Sequence, residues 1–194
     1  MQWCVYHGAF SIIASMIRRN ATKRNTLSSP GRRAAWYGLL TALALCAGYL
    51  EVLVPLPVSV PGIKLGLGNA VVLFALERMG ARPALFIMLA KVFCSMLLFS
   101  TPQMLAFSLG GGLLSWAIMA AAVRLDLFSE VGVSVLGGVA HNAGQLLVVA
   151  ALLSPQVALV NAPVLAIAGV ACGLAIGLIL RGVLAALPKA GFRE

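Results

Sequence analysis

The sequence predicts an all-α fold: a polytopic membrane protein with six transmembrane helices and both termini on the cytoplasmic side. Three observations lead to that class. Hydrophobic residues make up 61% of the 194-residue chain and charged residues only 10%, where soluble domains carry about 25% charge. Mean hydropathy is +1.02. A core of this length cannot hide so much apolar surface from water, so lipid must be the solvent. The apolar residues fall into six segments, and the basic residues gather on one side of them.

Residues 1–33 stand apart from those segments. Up to Ile17 the chain is mildly apolar but holds His7, Gly8 and three aromatics. It lacks the basic start and cleavage site of a signal peptide. It reads as an interfacial stretch or as an upstream extension of the reading frame. Residues 18–33 are basic and rich in Ser, Thr and Asn, a composition expected to stay disordered. Together they form a basic cytoplasmic extension.

The membrane domain covers 34–187. Its first segment, 34–54, is long enough to cross a bilayer, which takes about 20 apolar residues. The second, 65–79, falls short of that length. It is expected to tilt or to continue into the preceding loop, and short discontinuous helices often border transporter sites. Segments three to six cover 84–100, 104–123, 131–153 and 162–187, each near or above the required length. Residues 188–194 form a cytoplasmic tail.

Orientation follows from the loops. Arg78 and Arg82 separate segments two and three, and Arg124 separates segments four and five. Lys64 is the one basic residue in the loops on the opposite side. With both termini cytoplasmic, twelve of the fourteen basic residues lie inside, Lys64 lies outside and Lys91 lies in the membrane. The positive-inside rule selects that arrangement. The net charge of +9 therefore reads as a flank for anionic lipid, not as a nucleic-acid surface. Cys4, Cys46, Cys94 and Cys172 are scattered, with neither metal nor redox spacing.

Four constellations could carry chemistry. Lys91 sits near the middle of an apolar run, 83–99, that holds no other charge. A charge at mid-bilayer costs roughly 2.5–3.5 kcal/mol on insertion scales and marks a site by default. Lys91 either pairs with Glu51, near the outer end of segment one, or serves a negative group on a ligand. His141, Asn142 and Gln145 form a second polar cluster inside segment five. His141 and Gln145 are four apart and share a helical face. Three such side chains favour a binding site over interhelical glue, which remains the alternative.

The third constellation is Pro61-Gly62-Ile63-Lys64-Leu65-Gly66-Leu67-Gly68-Asn69. Its glycines let backbone approach a ligand closely, and Lys64 and Asn69 offer donors to an anionic or carbonyl group. A plain turn with Lys64 reaching lipid phosphate is the alternative. The fourth is Ser108-Leu109-Gly110-Gly111-Gly112 with Ser115, where close helix packing is the favoured reading. Segment one carries small residues every fourth position, Ala34, Gly38, Ala42 and Cys46, a face suited to docking another helix.

Enzyme chemistry finds little support. The chain has no phosphate-binding GxxxxGK[ST] loop. Asp126 is its one aspartate, so there is no carboxylate cluster to hold the magnesium of a prenyl synthase. Asp126 falls in a cytoplasmic loop and His141 in the membrane, which rules out a catalytic triad.

The runs at 61–69, 108–115 and 138–145 (Gly-Val-Ala-His-Asn-Ala-Gly-Gln) resemble the Gx transporter family, whose members are often labelled heptaprenyl diphosphate synthase component I. The resemblance covers about residues 36–187. The family is similar to the substrate-binding S components of energy-coupling factor transporters. That similarity implies six helices, a membrane coupling subunit and two cytoplasmic ATPases as partners. The chain itself would bind no cofactor, and ATP would be used on the partners. It further implies that Lys64 and Asn69 lie at a lid and pocket mouth, that His141, Asn142 and Gln145 line the pocket wall, and that Ala34, Gly38 and Ala42 dock the coupling subunit. The burial argument adds Lys91 to the binding set. The lysines favour an acidic small-molecule ligand. The other function the label implies is a membrane subunit of isoprenoid or quinone synthesis, partnered by a prenyl synthase catalytic subunit. The expected location is the cell membrane.

Overall fold

The computed structural model describes residues 30–53, 66–126 and 128–186. Lys64 and the first part of the 61–69 motif lie outside these residues, as do 1–29 and 187–194. Six helices make up the described chain: α1 (Pro30–Leu53), α2 (Asn69–Met79), α3 (Ala81–Phe99), α4 (Pro102–Leu125), α5 (Glu130–Leu152) and α6 (Pro155–Ala186). No strand occurs among the described residues.

Several helix boundaries rest on local chemistry. Thr101 caps α4 by accepting a hydrogen bond from the Met104 amide at 3.3 Å, and Pro102 follows it at the first helical position. Ser129 caps α5 in the same way through the Gly132 amide. Ser154 accepts from the Val157 amide at 3.2 Å, with Pro155 next in line. Hydroxyl caps satisfy amides the helix leaves open, and proline costs nothing at the first position. This cap moves the start of α6 from the expected 162 back to Pro155. Pro163 sits inside the helix.

Five helices, α1 and α3 to α6, are long and apolar enough to cross a membrane. The eleven residues of α2 rise only about 16 Å, against a hydrocarbon core of about 30 Å. The outer surface is apolar: Leu97 is 83% exposed, Ile167 73% and Leu159 72%. Water would not tolerate such a surface, whereas lipid does.

The short helix is the hub. It packs against every other helix, while α1 packs only against α2 and α3. Val72, Leu73, Ala75 and Leu76 of α2 enter a core with Ile87 and Met88 of α3, Met119 of α4, Val133 of α5 and Leu180 of α6. The most extensive packing joins α4 to α5 and α5 to α6. Glycines make it possible. A Cβ on Gly110 would lie 3.0 Å from the Gly144 carbonyl oxygen, and one on Gly138 would lie 2.5 Å from that of Gly169. Gly169, Gly173 and Gly177 face α5 at four-residue spacing, the small-residue pattern of close membrane-helix packing.

Candidate functional site

The site begins with a turn. Gly66 adopts φ +85°, a region that penalises every residue with a Cβ. Its carbonyl accepts from the Asn69 amide at 2.8 Å, and the Leu67 carbonyl accepts from the Ala70 amide at 3.0 Å. These bonds start α2 beside residues near the middle of the long helices, at half the height of the bundle. A Cβ on Gly66 would lie 3.0 Å from the His141 ring. One on Gly68 would fall on the Lys91 ammonium and lie 3.2 Å from the Ala44 carbonyl oxygen. The two glycines thus let the turn pass between His141 of α5 and Lys91 of α3.

A cavity lies against this turn. Leu45, Gly48 and Glu51 of α1 line it, with Asn69 of α2, Met88, Lys91, Val92 and Ser95 of α3, Ser108 and Gly112 of α4, and His141 of α5. Its free interior volume is about 10 Å³, room for about one water molecule. Three residues singled out in the sequence, Asn69, Lys91 and His141, therefore meet on one wall system.

Each is held differently. Asn69 is buried and its amide nitrogen donates to Ser115 Oγ at 3.2 Å. Ser115 Oγ in turn donates to the Gly137 carbonyl at 2.9 Å, which ties α2, α4 and α5 together. His141 and Gln145 are joined through their Nε2 atoms at 2.8 Å, as their four-residue spacing suggests. Gln145 is fully buried behind the histidine. Lys91 is half-buried and runs past Gly48, where an added Cβ would lie 3.5 Å from its Cε.

Asn142 takes a different position from its neighbours. Its amide nitrogen donates to the Leu165 carbonyl of α6 at 2.6 Å. It braces α5 on α6 and is not among the residues lining the cavity. The adjacent residue in a helix points about 100° away, which explains the separation from His141.

Glu51 is the residue that sequence reasoning undervalued. It was considered only as a partner for Lys91, from a position near the outer end of α1. It is 6% exposed and lines the same cavity as Lys91. The signal was present: Glu51 is the one acidic residue of the first apolar segment, the same anomaly that marked Lys91. Ser95 and Ser108 also line the cavity; Ser108 opens the glycine run read above as helix packing, and nothing in the local sequence of Ser95 distinguishes it from a packing serine.

The small-residue face of α1 is open. Ala34, Gly38, Ala42 and Cys46 are all exposed, and nothing lies within 4 Å of a Cβ placed on Gly38.

Comparison with known proteins gives one result. The family model described as heptaprenyl diphosphate synthase component I matches residues 40–183, well over half of the chain and all of the cavity-lining residues. No curated protein and no solved structure gives a significant match. With its apolar spans and its family match together, the chain is a multi-pass membrane protein belonging to the heptaprenyl diphosphate synthase component I family, also called the Gx transporter family.

Proposed function

We propose that this chain is the substrate-binding subunit of an ATP-driven small-molecule uptake transporter in the cell membrane. The observation that carries the reading is the convergence of Asn69, Lys91 and His141, from three helices, on one cavity at mid-height of the bundle. Polar groups at that depth are expensive and are kept where a substrate needs them. Asn69, Lys91 and His141 contact the ligand. Gln145 orients His141, Asn142 holds the wall behind it, and Lys64 serves the entrance. The chain crosses the membrane six times, with α2 completing one crossing, and both termini lie in the cytoplasm. The distribution of basic residues supports that topology. ATP is hydrolysed on two partner ATPases, and a membrane coupling subunit docks on Ala34, Gly38 and Ala42.

The test is purification of the tagged protein from its native membrane in mild detergent. A second membrane protein and two ATPases should be retained with it. Lys91→Ala and His141→Ala should each weaken uptake. Uptake unchanged in both variants would remove the cavity from the function.

The family description favours a second reading. Component I of a heptaprenyl diphosphate synthase works with another subunit, so the chain would recruit or supply a prenyl synthase catalytic subunit at the membrane. Retention of a soluble prenyl synthase subunit without ATPases would select that reading.

A further inference from the structure

Glu51 changes what the cavity can accept. We infer that the cavity binds a zwitterionic small molecule, its anionic group held by Lys91 and its cationic group by Glu51. This inference rests on reading the cavity as a ligand site.

Both charged residues line the cavity, from α1 and α3, and their formal charges cancel. Glu51 is the more deeply placed of the two, buried where Lys91 is half-buried.

Charge balance inside a low-dielectric bundle decides the ligand class. An anion beside Lys91 would be attracted by the ammonium and repelled by Glu51 in the same small space. A cation beside Glu51 would meet the reverse. Either would leave the occupied site with a net charge away from water, which is costly. A zwitterion gives each residue an opposite partner and leaves the site neutral when empty and when full. A neutral ligand would make no charged contact with either residue.

The backbone adds direction. The N-terminus of α2 lies at Lys91, and a helix N-terminus carries partial positive charge. Gly68 keeps the backbone bare at that point. The anionic end of the ligand is therefore placed on the α2 side and the cationic end on the α1 side. Leu45, Met88 and Val92 offer an apolar surface to the part between the charges. The cavity is nearly closed, at about 10 Å³, so the ligand enters by moving the side chains that line it.

The experiment uses the full-length protein in lipid nanodiscs, equilibrated with a water-soluble metabolite extract of the source cells. Retained small molecules are identified by mass spectrometry for wild type, Glu51→Gln, Glu51→Asp and Lys91→Gln. Thermal unfolding checks that each variant is folded. The expected result is one retained compound bearing both an anionic and a cationic group. Its retention should fall at least tenfold in Glu51→Gln and in Lys91→Gln, and less in Glu51→Asp. A retained compound of a single charge sign, or a neutral one, overturns the inference and leaves the ligand site standing. So does retention that rises in Glu51→Gln, because removing a repelling carboxylate strengthens binding of a simple anion. No retained compound in wild type overturns both the ligand site and the inference.

Discussion

The ammonium of Lys91 occupies the place where a side chain on Gly68 would begin; a Cβ there would lie 2.7 Å from the lysine Cε. The glycine and the lysine are thus a matched pair, one keeping the space the other fills. Gly68→Ala should displace Lys91, which is flexible, and press on the Ala44 carbonyl, which is not. Thermal unfolding should show a stability loss of about 1 kcal/mol, with ligand retention reduced roughly tenfold. Adding Lys91→Ala should relieve the clash with the lysine, leave the pressure on the Ala44 carbonyl and keep retention low. Normal retention in Gly68→Ala would show that the position of Lys91 does not matter to the ligand.

Gln145 is fully buried with its Nε2 against His141 Nε2. Gln145→Met keeps the volume and removes the polar partner. A buried polar atom that loses its partner costs about 1–3 kcal/mol. Calorimetry in detergent should find a loss of that size, and an unchanged melting temperature would mean the histidine is fixed by other contacts.

Asn142 and His141 are neighbours in sequence with separable roles. Asn142→Ala removes the 2.6 Å bond to Leu165, and should cost about 0.6–2 kcal/mol of stability while the folded protein binds ligand as before. His141→Ala should show the opposite balance. Binding and unfolding measured on both variants would decide it, and an affinity loss in Asn142→Ala at full stability would place that side chain in the binding set.

Two glycine substitutions test the packing. A Cβ at Gly138 would lie 2.5 Å from the Gly169 carbonyl oxygen, and neither backbone can yield easily. Gly138→Ala should destabilise by about 1–3 kcal/mol or more. Gly182 has nothing within 4 Å of its Cβ position, so Gly182→Ala should stabilise the helix by about 0.5–1 kcal/mol. Thermal unfolding of the pair side by side gives the contrast.

The open face of α1 gives the last prediction. Gly38→Leu should leave the isolated chain as stable as wild type, because the added side chain meets only lipid. It should abolish capture of the membrane partner in the pull-down. Full capture would move the docking surface elsewhere.

Much of the helical layout was legible because hydropathy and capping leave strong marks. All six apolar segments became helices, and the short second segment became the short helix α2. The start of α6 was placed at 162, seven residues late, because the apolar run was read without the Ser154-Pro155 helix start ahead of it. The central place of α2 was not legible, since no local pattern reports how many neighbours a helix will have. In the cavity, Lys91 and His141 were legible as polar groups in apolar runs. Glu51 carried the same mark but was assigned by its position along α1, which says little about where a long lysine can reach. The Gly169, Gly173 and Gly177 series was visible at a spacing of four, yet the attention went to the three consecutive glycines of α4.

The brevity of α2 bears on how the protein is made. An eleven-residue helix is too short to be retained in the bilayer by its own hydrophobicity. It stays only once the longer helices have given it walls, and those include α5 and α6, which emerge last from the ribosome. The cavity draws on α1 through α5, with α2 at its centre. Its assembly therefore waits for α5, well after α2 itself has been synthesised.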